Sequence, residues 1–481
     1  MMDILEGLYS SNYWFSKFLL QRGLALIYLV AFINALNQFI PLLGTNGLLP
    51  VPQFLERMSF KQKPSLFHWH YSDTFFKAVA SAGLRLSIAA LSGVTDNGPL
   101  WVSMLVWFLL WAIYLSIVNV GVIFYGFGWE SMLLEAGFYA IFLGPLYWAA
   151  PVLVIWIIRW MVFRVEFGAG LIKMRGDQCW KDLTCLNYHH ETQPLPNPLS
   201  WYFYQLPESL HKAETFFNHL VQLVAVWGLF FPQPVASISA GFIILSQGYL
   251  IISGNYSWLN WLTIVLAFSG FSDRIIKNLT GISIPQVSSV PLYFEVVVGI
   301  LALVVLYLSI GPVKNMLSSR QKMNFSFNPI HLVNTYGAFG SVTKKRYEII
   351  IEGTGDNILH EDTEWEEYEF KGKPGDPGLR PPLVSPYHLR LDWQMWFAAM
   401  STTPRRHPWF QSLVAKLLQN DEHAIGLIKK NPFPDEPPKY IRARLFLYEY
   451  TTFKERRETG NWWKRDYVQD YISPQSLQIN H

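Results

Sequence analysis

Chemistry in this chain would have to be sought at a few ionisable side chains set in or beside strongly apolar text: Glu135, Lys173, His189 and His190. A charge inside a bilayer-crossing segment is costly, so such a group is either functional or paired. Around one polar cavity, a carboxylate, an amine and two imidazoles could move protons, and these four are the catalytic candidates of an enzymatic reading. Glu135 lies well inside its apolar segment and is the first candidate for a cavity wall. Glu130 precedes it by five positions, about 140° round a helix, so the two cannot face one site without a break. Arg159 and Glu166 are seven apart and share a helix face. Direct partners sit three or four apart, so their buried charges are expected to pair through an intermediate group or a tilt and thereby fix helix packing.

His189 and His190 are adjacent and point in different directions on any regular backbone, so a metal site there would need a third ligand such as His211 or His219. Histidines that hydrogen-bond to hold a buried loop are the preferred reading. His68 and His70 flank Trp69 in an aromatic-rich stretch that reads as an interfacial anchor. Cys179 and Cys185, the two cysteines of the chain, are six positions apart. In an oxidising compartment they could close a small loop around WKDLT; in a reducing one they stay thiols. Neither C-x-x-C redox chemistry nor a zinc knuckle has that spacing. Phosphate loops, dinucleotide fingerprints, G-x-S-x-G elbows and H-E-x-x-H motifs are all missing from the sequence. No cofactor and no metal is therefore expected, and a formal net charge of +3 gives no reason to expect nucleic acid.

The elements that must position these groups follow from an uneven composition. The chain has 481 residues, 51% hydrophobic and 15% charged. The first 312 residues hold 15 basic and 15 acidic side chains, the last 169 hold 23 and 20. The fold class expected is an all-α polytopic membrane bundle over 1–312 followed by a small α+β soluble domain over 313–481. Eight stretches approach the roughly 20 apolar residues a crossing needs: 20–43, 100–126, 129–148, 150–167, 214–231, 235–252, 256–271 and 290–312. A ninth, 75–93, is interrupted by Lys77 and Arg85, so eight or nine crossings are expected. A large polar loop spans 168–213, and four stretches separate it from the tail, which places loop and tail on the same side. The start of the chain lacks a cleavable leader pattern, so insertion is expected to rest on the helices themselves. Loop charges are too even to orient the bundle. In the tail, 347–353, 365–371 and 441–453 read as strands, and 389–400 and 411–418 as helices.

Long motifs complete the reading: GTNGLLP (44–50), FGWESMLLEAGFYAIFL (127–143), GDQCWKDLTCLNYHHETQPLPNPLSWYF (176–203), GNYSWLNWLTIVL (254–266), NTYGAFGSVTKKRYEIIIEGT (334–354), SPYHLRLDWQMWFAA (385–399), NPFPDEPPKYIRARLFLYEYTTF (431–453) and GNWWKRDY (460–467). In these segments the chain resembles the lipase maturation factors. The resemblance implies a non-enzymatic folding or assembly factor for secreted lipases or other exported clients, in contact with membrane lipids. It implies an endoplasmic reticulum membrane in a eukaryote, or the inner cell membrane for a bacterial homologue, with the loop and the carboxy-terminal domain facing the lumen. Trp180, Trp201, Trp393 and Trp396 are then candidate client contacts, with Trp462 and Trp463 beside them. The chain departs from the family pattern in stopping soon after GNWWKRDY. More faintly, the bundle resembles the helical domain of vitamin K-dependent carboxylases, which implies as the alternative an integral-membrane enzyme acting on a lipid, a quinone or an exported polypeptide.

Overall fold

The computed structural model describes residues 9–10, 13–401 and 403–477. The apolar runs form α1 (Trp14–Leu43), α2 (Asp73–Ser92), α3 (Leu100–Val120), α4 (Gly128–Ala140) and α5 (Val152–Arg175). A connecting region then carries α6 (Leu186–Thr192) and α7 (Glu208–His219), before α8 (Val235–Ser253), α9 (Leu259–Ala267), α10 (Leu292–Leu308) and α11 (Ile310–Leu317). Among the described residues, five segments are long and apolar enough to cross a membrane: α1, α2, α3, α8 and the run 292–317 formed by α10 and α11. The interrupted stretch is among them. Its helix starts at Ser72, whose hydroxyl accepts the Phe75 N–H, and stops at Gly93 in the left-handed region.

The other expected crossings are shorter or more polar. The 13 residues of α4 rise about 20 Å, against about 30 Å of hydrocarbon. Arg159, Arg164, Glu166 and Lys173 lie within α5. Beyond α7 the chain continues as a π turn at Leu220–Val224 and a 3-10 turn at Ala225–Phe230.

Buried polar contacts gather at two ends of the bundle. At one end Asp273 accepts the N–H groups of Trp14 and Phe15 at 2.8 and 2.9 Å, and Lys17 donates to the carbonyls of Pro145 and Trp148. Arg22 pairs there with Asp96, and Arg159 donates to the carbonyls of Ser269 and Leu229 at 2.8 and 3.2 Å. At the other end Asn34 and Gln38 donate to the His388 carbonyl, Asn119 to those of Pro64 and Pro329, and Gln193 to that of Ser253. Successive helices therefore run in alternating directions between the two ends.

The tail closes over the second end. The isoleucine run of RYEIIIEGT makes β1 (Arg346–Thr354), buried at nearly every position, and, after the two-residue β2 (Glu366–Glu367), α12 (Arg390–Ala399) and α13 (Pro408–Leu418), alternation in YIRARLFLYEY makes β3 (Tyr440–Tyr450). A capped helix α14 (Phe453–Thr459) leads to β4 (Trp463–Gln475), and the antiparallel sheet has the order β2-β1-β3-β4. β1 and β3 pair from Arg346↔Tyr448 to Thr354↔Tyr440. The stretch 365–371 gives only β2 to this sheet, because Glu369 and Phe370 pair with Ile428–Lys430 instead. β4 was not expected from the sequence; its face is largely exposed and its charges obscure the alternation. One apolar core runs without interruption from α1 to α13, with Trp393 packed on Phe127 and Trp129 at 5.6 and 5.0 Å between ring centres.

Candidate functional site

The two acidic residues of α4 hold the tail onto the bundle. Glu135 pairs with Arg164 of α5 and accepts the Tyr139 hydroxyl at 2.8 Å. Its other oxygen takes the Asn334 backbone N–H at 2.9 Å, the Asn334 side-chain amide at 2.8 Å and the Tyr336 hydroxyl at 2.8 Å. Arg164 also donates to the Asn334 carbonyl at 2.6 Å, so the NTY text is tied down from both charges. Glu130 turns away, as the five-residue spacing requires, and pairs with Arg390 of α12 at 2.7 Å while accepting the Tyr114 hydroxyl. Arg390 lies flat over Tyr125, 3.5 Å from its ring centre, and donates to Asn34 and to the Phe124 carbonyl. Both clamps are fully buried.

The expected pairing of Arg159 with Glu166 does not form. Two helical turns hold them about 10 Å apart along α5, and each finds other partners. Arg159 stays at the first end with backbone carbonyls, while Glu166 accepts the side-chain amides of Gln222 and Gln247 at 3.1 and 2.7 Å. Lys173, one face further, donates to Asn218 at 2.7 Å and Gln222 at 3.0 Å. Gln222 thus bridges a carboxylate and an ammonium.

The loop 176–207 is folded against the tail. Cys179 and Cys185 are joined by a disulfide, with their Cα atoms 4.8 Å apart. Trp180 donates to the Phe339 carbonyl at 2.8 Å, Trp201 to that of Thr451 at 2.8 Å, and Trp396 of α12 to that of Thr192 at 3.1 Å. Arg346 of β1 donates to the carbonyls of Glu191, Gln193 and Pro194, and Glu191 accepts the Tyr450 N–H at 2.6 Å. Burial pushes the Glu191 carboxyl up to about 7, against the opposing effect of that N–H. His189 lies 2.8 Å from the Tyr256 hydroxyl, and burial, with His190 and Lys173 nearby, holds its imidazole down at about 3.

Bundle, loop and tail together enclose an open cavity of about 790 Å³. Trp129, Ile172, Trp180, Phe339, Trp393 and Phe397 give it mostly apolar walls; Glu166, Lys173, Gln222, Gln247 and His189 give it a polar floor. Of the four catalytic candidates, Lys173 and His189 line this space. Glu135 is sealed in its clamp, and His190 faces away, stacked on Phe203. Among the described residues, no nucleophile, base and orienting group converge on the floor. Of the four tryptophans expected to meet a client, Trp180, Trp201 and Trp393 are buried and Trp396 half-buried, because each indole is needed for packing. Exposed apolar groups at the rim include Phe397, Met400 and Met323, which carried no distinguishing signal in the sequence.

An integral membrane protein in which a carboxy-terminal region with β-sheets is clamped over a helical bundle, with an apolar cavity between them, is the class this architecture defines. Comparison with known proteins gives its family. The profile of the lipase maturation factor transmembrane domain matches residues 15–278, and that of the lipase maturation factor C-terminal domain matches residues 332–473. Lipase maturation factor 1 of Mus musculus is 41% identical over 515 aligned residues, covering 99% of this chain and 90% of that protein. Its Homo sapiens counterpart is 40% identical, covering 98% and 89%, and Homo sapiens lipase maturation factor 2 is 29% identical, covering 95% and 82%. The chain belongs to the lipase maturation factor family. No solved structure matches it.

Proposed function

We propose that the chain is a membrane-anchored, non-catalytic maturation factor that helps secreted lipases, or other exported proteins, to fold or assemble. The observation that carries this reading is the composite cavity, whose walls come from the bundle, the 168–213 loop and the tail at once. A folding factor needs apolar surface that an immature segment can enter, with a few polar groups to give direction. Tryptophan and phenylalanine walls over an amide-rich floor meet that need. The names of the relatives supply the client class. An enzyme acting on a lipid, a quinone or an exported polypeptide is less well supported, because Glu135 and His190 lie outside the space that Lys173 and His189 share.

The alternation of helix ends supports nine crossings, α7 being counted with its continuation to Phe230. α4 falls short of the bilayer thickness, but ten of its 13 residues are buried, and a segment enclosed by protein need not match the lipid. Loop and tail then share one face, the lumenal face of an endoplasmic reticulum membrane, where the disulfide is stable. We divide the chain after the run 292–317, slightly beyond the 312/313 boundary read from composition, with the first part as anchor and floor and the second as cover. Expression in animal cells lacking their own maturation factor tests the function: secreted lipase activity should return. Unchanged lipase secretion at equal expression would overturn it.

A further inference from the structure

Beside His189, at a corner of the cavity to whose lining Glu214 and Tyr249 contribute, three metal-ligand side chains converge that the proposed function does not use. His211 and Glu214 stand one turn apart on α7, so they share the face turned toward α6, which carries His190. His211 Nδ1 is 3.2 Å and His190 Nε2 is 3.8 Å from the same Glu214 oxygen, Oε2. One donor atom from each residue lies within 4.8 Å of the others. The Tyr249 hydroxyl of α8 is 3.4 Å from His190 Nε2. His190 and His211 are 1% and 3% exposed, whereas Glu214 keeps a partly open side by which an ion could enter.

Hydrogen bonding accounts for His211 and Glu214 but leaves His190 short. Its Nε2 is too far from the carboxylate for a hydrogen bond and has only the long 3.4 Å contact with the Tyr249 hydroxyl, while its Nδ1 is buried without a partner.

We infer that His190, His211 and Glu214 form a binding site for a zinc-type divalent cation, with the fourth position left to water or to the Tyr249 hydroxyl. Tetrahedral bonds of about 2.0–2.1 Å put neighbouring ligand atoms about 3.4 Å apart, and the two measured separations lie on either side of that. Calcium and magnesium are poorly served, since they seek six or more oxygen ligands and a single carboxylate is present. The cation would staple α6 to α7. Because α6 also carries Glu191, which holds β3, and His189, which faces the cavity, the staple would set one wall of the working surface. The site departs from the expectation that these histidines only hydrogen-bond, and it stands independently of the lipase reading.

The test uses the full chain in detergent, purified on a tag without histidines, stripped with a chelator and titrated with Co²⁺ and then Zn²⁺. One equivalent of Co²⁺ should give the visible absorption of a four-coordinate ion, Zn²⁺ should displace it, and Zn²⁺ should raise the thermal midpoint. His211→Asn and Glu214→Gln, chosen because they sit at the open edge and spare the packed His190, should each weaken Zn²⁺ binding by more than about tenfold. Size-exclusion behaviour and the metal-free midpoint report whether each variant is folded. Absence of stoichiometric Co²⁺ absorption in the wild-type chain, or equal affinity in the folded variants, would overturn the site.

Discussion

Glu135 and Glu130 are better understood as fasteners than as reactive groups. Each is a buried carboxylate whose partners come from another helix and from the tail, so removing one partner strands a charge. Arg164→Met is therefore expected to cost about 3–5 kcal/mol, read as a lower midpoint of thermal aggregation in detergent; an unchanged midpoint would remove the clamp from the account. Glu191 gives a pH-dependent counterpart. Its carboxyl is raised in the folded chain to about 7 from 4.5, so the folded state binds the extra proton and stability falls as pH rises from about 4.5 through 7. Glu191→Gln should flatten that part of the midpoint-against-pH curve, while a slope identical to wild type would contradict the assignment. The sequence already separates Glu130 from Glu135 by angle and marks both as buried charges. It cannot show that their partners, Arg390, Asn334 and Tyr336, lie roughly 200 or more positions away, because only folding brings those together.

At the scale of elements, hydrophobic runs and alternation located most of the pieces and misjudged some lengths. α1, α3 and α8 follow directly from continuous apolar text, β1 from its isoleucine run and β3 from alternation. α4 ends early, because burial inside the protein relieves it from spanning the lipid alone, and α7 loosens into π and 3-10 turns. β4 escaped notice because its exposed charges suit an edge strand more than a buried one. The disulfide belongs to this scale too, since it closes a six-residue step ahead of α6. Loss of a loop that small should cost about 2 kcal/mol in the chain-entropy picture. Cys185→Ser should accordingly speed amide exchange across 177–192 and leave α1 and α3 unchanged; equal exchange in the loop would show the bridge to be dispensable. Native alkylation followed by mass spectrometry should find neither thiol free.

For the whole molecule, the composition boundary near 313 marks a change of solvent without dividing the core, which is continuous from α1 to α13. The consequence is a single body in which the poorly charged part supplies the loop and the cavity floor, and the charged part supplies the cover. The candidate site was legible as a neighbourhood, the text 176–203 and the charges of α5, but its shape was not, because the cavity exists only where three distant segments meet. Trp180, Trp393 and Trp396 line the cavity while packing its walls, Trp201 packs on Trp462, and the exposed rim includes residues such as Phe397 and Met400. The central claim, a composite client surface, is tested most directly by a photo-crosslinking residue placed at Lys181 on the loop and at Met400 beyond α12, both exposed, with Trp101 at the opposite end of the bundle as control. Newly made lipase should be captured from the first two positions and not from the third. Capture from neither rim position, in variants that still restore lipase secretion, would contradict it.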